Sequence, residues 1–158
     1  MSHRVADLCG FLSGQWRIAR RIDDRRLGIV GRLTGRVTFT PSPGGLIQDE
    51  DGDLAFGAYR GPARRRYQLV MDHSSAGEIR HADGSLFHAL DLTSGRAEIL
   101  HRCGDDMYRG RYRVLRDDRF AVTWHVTGPR KNYRLSTIHA RLGEAEKSVA
   151  STARYSDE

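Results

Sequence analysis

From Gln15 to Arg141 hydrophobic and polar residues alternate with period two, and turn residues (Gly, Asp, Asn, Ser) interrupt the alternation every roughly eight to twelve residues. That spacing predicts an all-β sandwich or barrel of about ten antiparallel strands. The strands fall near Gln15–Asp24, Ile29–Thr40, Gly45–Glu50, Leu54–Tyr59, Arg65–Met71, Glu78–His81, Leu86–Leu92, Ala97–Cys103, Tyr108–Leu115, Phe120–Thr127 and Tyr133–Arg141, with one short early run a candidate loop. Before them, Arg4 to Leu12 places Val5, Leu8 and Leu12 on one face of a short helix. Residues 1–142 therefore read as one β-barrel domain, and 143–158 as a polar tail.

Hairpin arithmetic predicts which side chains meet. Asp83-Gly84 is a strong two-residue turn, which pairs His81 with Leu86 and Ile79 with His88. A four-residue loop at Thr93–Arg96 then sets His88 opposite His101. A further loop at Gly104–Met107 pairs Cys103 with Tyr108 and His101 with Gly110, and Gly110 falls opposite Trp124. The inward row becomes Ile79, His88, His101, Gly110 and Trp124, with the glycine leaving room for a cavity.

The length suits a single domain with its own core, and 39% hydrophobic residues with six Tyr, five Phe and two Trp exclude a disordered chain. No export signal and no membrane-spanning run is expected, and Cys9 and Cys103 form neither a disulfide framework nor a thiolate zinc pattern, so a cytoplasmic setting is the expectation. The formal charge is +6, and all cations but Lys131 and Lys147 are arginine, which suits carboxylate or phosphate recognition. No nucleic-acid module accompanies the charge, so nucleic acid is not an expected partner. A monomer and a homodimer are both compatible with the sequence.

Gly14-Gln15-Trp16, opening the first strand after a helical lead-in, resembles the GxW signature of lipocalins and their calycin relatives. The resemblance implies that Trp16 packs across the closed end of the barrel beneath Arg141. A closer resemblance is to an uncharacterised bacterial and fungal family with a lipocalin-like fold, domain of unknown function 6314. It is carried by Phe11 to Trp16 with Arg20 and Ile22, by Asp83-Gly84 with Phe87, His88 and Asp91, by His101-Arg102-Cys103 with Asp106, Tyr108, Gly110 and Tyr112, and by Val126 to Tyr133. The family has no activity to transfer.

The candidate ligand-binding residues are His88, His101, Cys103, Tyr108, Tyr112, Trp124 and Tyr133 from the barrel interior, with Arg20, Arg130 and Lys131 as anion-binding groups. Paired imidazoles at His88 and His101 are candidate metal ligands, with His81 or Asp91 as a further donor. His139 is similar in position to the proximal histidine of haem-binding barrels of the nitrobindin type. An enzyme reading would set His88 or His101 against Asp106, Asp91 or Tyr108 as acid and base. Arg20 shares a face with Trp16, Ile18 and Ile22 and therefore needs a partner, either a ligand or a buried acid such as Glu50. Three classes stay open: a barrel for a small, partly apolar molecule, anionic or neutral, a small hydrolase or isomerase, and a structural or interaction protein with a filled core.

Overall fold

The computed structural model describes residues 3–143; the expected tail lies outside them except for Gly143. A single short helix, α1 (Leu8–Leu12), precedes ten strands: β1 (Gly14–Asp24), β2 (Ile29–Ser42), β3 (Gly45–Phe56), β4 (Tyr59–His73), β5 (Ala76–His81), β6 (Leu86–Asp91), β7 (Arg96–Cys103), β8 (Asp106–Arg116), β9 (Arg119–Gly128) and β10 (Lys131–Arg141). All pairings are antiparallel, and the sheet order is β6-β5-β4-β3-β2-β1-β10-β9-β8-β7. Pairing of β1 with β10 rolls the sheet into a barrel, and its two edges, β6 and β7, come side by side without a hydrogen-bonded ladder. The barrel is thus nearly closed rather than closed.

Alternation builds the core. On β1 the side chains of Trp16, Ile18 and Arg20 are buried while Arg17, Ala19 and Arg21 are exposed, because successive residues of a strand point to opposite faces. The helix is shorter than the predicted Arg4–Leu12: Asp7, in an extended conformation, caps it, its carboxylate accepting from the Gly10 N–H at 3.0 Å, so the helix starts only at Leu8. Val5, Leu8 and Leu12 are nevertheless all buried.

Helix α1 plugs one end of the barrel. The Leu8 N–H bonds the Ser74 carbonyl at the β4–β5 turn, while Arg141 of β10 donates to the carbonyls of Ser13 and Phe11, so the segment spans from one side of the ring to the other. The Arg141 guanidinium lies 4.2 Å from the centre of the Trp16 ring, and the Trp16 indole N–H donates to the Leu12 carbonyl at 2.8 Å. Burial lowers the Arg141 pKa, although it remains a cation. At the opposite end lie the β1–β2, β3–β4, β5–β6, β7–β8 and β9–β10 turns.

Three local expectations are corrected. The predicted strands Gly45–Glu50 and Leu54–Tyr59 merge into β3 as far as Phe56, because Asp51-Gly52-Asp53 is not a turn, whereas Gly57-Ala58 is one and Tyr59 opens β4. Gly52 pairs with Gly35 of β2, where a Cβ on Gly35 would stand 2.2 Å from the Asp51 carbonyl oxygen, so these glycines permit close strand approach. The β7–β8 turn is two residues, not four: Gly104 takes φ +60°, as the first residue of a tight hairpin turn requires, and Cys103 pairs with Asp106. His101 consequently faces Tyr108, and Gly110 faces Ile99. Finally, a bulge in the β5–β6 hairpin pairs Arg80, not His81, with Leu86, which turns Leu86 outward at 52% exposure.

Candidate functional site

The barrel is hollow. A cavity of about 300 Å³ runs from Leu12 of the helical plug to Cys103, Tyr108 and Tyr133 beside the opposite turns, and Cys103 is exposed there, so the cavity reaches the surface. Two regions differ in chemistry.

Toward the open end the wall is aromatic, and Phe87 is its hub. The bulge that expels Leu86 turns Phe87 inward, where its ring stacks on Trp124 (5.1 Å between centroids) and His81 (4.9 Å) and meets Tyr67, His88, His101 and Tyr108. The pairing of Gly110 with Trp124 is present, but its consequence is the reverse of an empty space. A Cβ on Gly110 would lie 2.6 Å from the Trp124 ring, so the indole lies over the glycine and fills that spot. Gly110→Ala is expected to tilt the indole, cost about 1–3 kcal/mol and shift tryptophan emission. Urea denaturation followed by fluorescence checks this, and an unchanged midpoint with an unchanged spectrum refutes it.

His88 and His101 are not ladder partners, because β6 and β7 do not pair. Both rings pack on Phe87, with centroids 4.8 and 5.5 Å away. The His88 Nδ1 bonds the Ala89 carbonyl at 2.9 Å, and since a carbonyl only accepts, Nδ1 carries the proton. Its Nε2 is then an acceptor, and the Tyr112 hydroxyl stands 3.5 Å away. Burial, with a smaller push from His101 and His81, lowers the His88 pKa to about 4, so the ring is neutral near pH 7. Burial likewise raises the Tyr112 phenol and keeps it protonated.

Among the described residues no three His, Cys, Asp or Glu side chains are grouped to hold a metal ion. Nor does a carboxylate serve the cavity histidines as an acid-base partner: Asp106 is paired with Lys131 at 2.9 Å, and Asp91 accepts from the N–H and hydroxyl of Thr93. His139 is fully enclosed, its ring stacked on Phe120 with centroids 4.0 Å apart, and its Nδ1 has no hydrogen-bond partner. Burial, then the nearby Arg20 cation, lowers its pKa to about 3.

The second region is ionic. Arg20 donates from Nε to Thr137 Oγ1 at 2.8 Å and from both terminal nitrogens to Glu50, at 2.9 and 2.5 Å. The buried acid is therefore the partner that the alternation of β1 demands. Arg65, facing Glu50 across β3 and β4, adds a third contact from its Nε at 2.6 Å. Burial pushes the Glu50 carboxyl up, but the two guanidiniums outweigh it and hold the pKa at about 2. Glu50 also keeps the Arg65 cation strongly protonated against the opposing effect of burial.

Of the residues singled out from sequence, His88, His101, Cys103, Tyr108, Tyr112, Trp124, Tyr133 and Arg20 line the cavity. Burial and the adjacent Tyr108 raise the Tyr133 pKa to about 12. Arg130 and Lys131 do not line it: Arg130 belongs to the β9–β10 turn and Lys131 opens β10, where it is held by Asp106 and, at 3.4 Å, by the Tyr108 hydroxyl. Sequence reasoning missed Arg65, Tyr67 and Phe87. The signal for the first two was present, since Arg65, Tyr67 and Leu69 alternate with Arg64, Arg66 and Gln68.

The fold and site together define a small antiparallel barrel, plugged at one end by a helix and hollow within. Residues 12–141 match the family of unknown function DUF6314, and the chain belongs to that family. No curated protein matches the sequence. Among solved structures, the S-type phycobiliprotein lyase of Guillardia theta is similar at 8% identity and a TM-score of 0.59, over 86% of this chain and 91% of that one. A protein of unknown function from Nostoc punctiforme, of the DUF3598 family, is similar at 10% identity and a TM-score of 0.60, over 89% of this chain and 51% of that one. At these identities the likeness concerns the fold.

Proposed function

We propose that the protein binds a small, partly apolar organic molecule inside the barrel. The observation that carries this reading is the cavity of about 300 Å³, at the lower end of the range for small-molecule sites. Its surroundings have the expected make-up: a mostly apolar and aromatic wall with a few convergent polar groups. A protein with a filled core would leave no such space, and the neutral, hydrogen-bonded His88 without a carboxylate neighbour argues against acid-base chemistry. The similarity to the phycobiliprotein lyase supports the scaffold, whereas the cavity supports the binding.

The test is titration with the neutral fluorophore N-phenyl-1-naphthylamine, alongside native mass spectrometry of the purified protein. Saturable one-to-one binding is expected, weakened at least tenfold in Val122→Trp, which fills the cavity from its buried wall. Circular dichroism establishes that the variant is folded. Absence of saturable binding by the folded wild-type protein, with no organic mass co-purifying, overturns the reading.

A further inference from the structure

We infer that Arg65 is the anchor for an anionic head group, and that the ligand is a small carboxylate with an aromatic or cyclic body. This rests on the interior-binding reading above and names the chemistry of that site.

The first ground is charge. Arg20 and Arg65 carry two positive charges into the barrel, and Glu50 is the one acid among the described residues lining the cavity. Burial holds His88 and His139 neutral near pH 7. The Arg20–Arg65–Glu50 cluster thus carries one positive charge more than its single acid balances, and an anion entering the cavity would complete the balance.

The second ground is which arginine has donors left. Arg20 spends all three nitrogens on Thr137 and Glu50 at normal hydrogen-bond lengths and is 8% exposed. Arg65 spends only its Nε at such a length. Its Nη1 and Nη2 reach the Tyr67 hydroxyl and Glu50 Oε1 at a stretched 3.4 Å each. Its side chain is 38% accessible, against 4% for Glu50, and it lines the cavity. A guanidinium whose two terminal nitrogens are held only by these long contacts can turn them to the fork of a carboxylate. The Tyr67 oxygen accepts from Arg65, which leaves its hydroxyl hydrogen for a second bond to the same anion.

The third ground is geometry around the anchor. The Phe87 ring stacks on Trp124 with 20° between planes, and Tyr67, two residues from Arg65 on β4, lies 6.0 Å from Phe87 at 28°, so the cavity that Arg65 lines has a wall of flat rings. A planar apolar body suits such walls better than a branched chain does.

Isothermal titration calorimetry with 2-naphthoate and its neutral isostere 2-naphthamide tests this. The wild-type protein is expected to bind the acid at least tenfold more tightly than the amide. Arg65→Gln is expected to abolish that preference while retaining the amide, since the Arg20–Glu50 pair remains balanced; Arg65→Lys restores part of it. Equal affinities for acid and amide in wild type, or an acid preference that persists in Arg65→Gln, overturn the inference and leave interior binding standing. Binding of N-phenyl-1-naphthylamine without either naphthalene compound also overturns it. No binding of any of the three overturns both readings. Should Arg65→Gln fail to fold, the wild-type comparison decides alone.

Discussion

Glu50→Gln is expected to lower the free energy of unfolding by about 3–5 kcal/mol, because removing one member of the buried Arg20–Glu50 pair leaves the Arg20 cation without its acid in a low-dielectric interior. That is a large part of the roughly 5–15 kcal/mol by which domains of this kind are stable. The same strand supplies its own controls. Asp49 and Asp51 flank Glu50, face the outside of β3, and pair with Arg66 and Arg64 across the same ladder at 2.6 and 3.3 Å. Exposed pairs of that kind contribute about 0–1 kcal/mol, so Asp49→Asn and Asp51→Asn are expected to move the urea midpoint little. The alternation of the strand, not the chemistry of the pair, sets the difference. Three variants with equal midpoints would refute the assignment of Glu50 as the keystone of the interior.

The second large effect is loss of stability in acid, and three buried groups contribute with the same sign. His139 and His88 are held down to about 3 and about 4, so they stay neutral in the fold while an unfolded histidine takes up a proton below about 6.5. The unfolded chain then binds more protons than the native one, and stability falls as pH drops from 6.5 toward those values. Glu50, held at about 2, extends the fall: its contribution is complete above about 4.5 and is lost as pH falls toward 2. At 1.36 kcal/mol per pH unit, His139 alone accounts for roughly 3 kcal/mol by pH 4. His139→Leu removes that proton uptake without breaking a hydrogen bond at Nδ1, which has none. Urea midpoints measured between pH 7 and pH 4 are expected to fall less steeply in the variant than in wild type. Parallel slopes would exclude His139 as a source of the acid sensitivity.

The comparison of sequence with structure turns on where side-chain alternation is interrupted. Along β1, β7, β9 and β10, and along β8 up to the register shift between Val114 and Arg116, it holds, and there the inward residues are legible: Trp16, Ile18, Arg20, Ile99, His101, Trp124 and Val126 all face the interior. The errors within the hairpins begin at a glycine or a bulge. Gly104 reads equally well as part of a long loop or as the first residue of a two-residue turn, and the choice slides His101 from Gly110 to Tyr108. The Asp83-Gly84 turn is where it was placed, but the bulge beside it exchanges Leu86 for Phe87, and hydrophobicity cannot tell which of two adjacent apolar residues points inward. Gly52 between two aspartates has the composition of a turn and the role of a close-packed strand position. Arg65 was hidden by its neighbours: the run Arg64-Arg65-Arg66 looks solvated throughout, and only the phase set by Tyr67 and Leu69 separates its middle member from the other two.

The unzipped seam between β6 and β7 shapes how the chain reaches its native state. Every ladder except one joins strands consecutive in sequence, the exception being β1 with β10. The chain therefore comprises two meanders, β1 to β6 and β7 to β10, each built from hairpins that form over short loops and at low entropic cost. Joining them depends on a single pairing that spans most of the chain, Trp16 with Arg141 through Asp24 with Tyr133. The connection Leu92–Gly95 at the seam then acts as a tether that keeps the two halves at high mutual concentration, while the β1–β10 pairing decides when the ring exists.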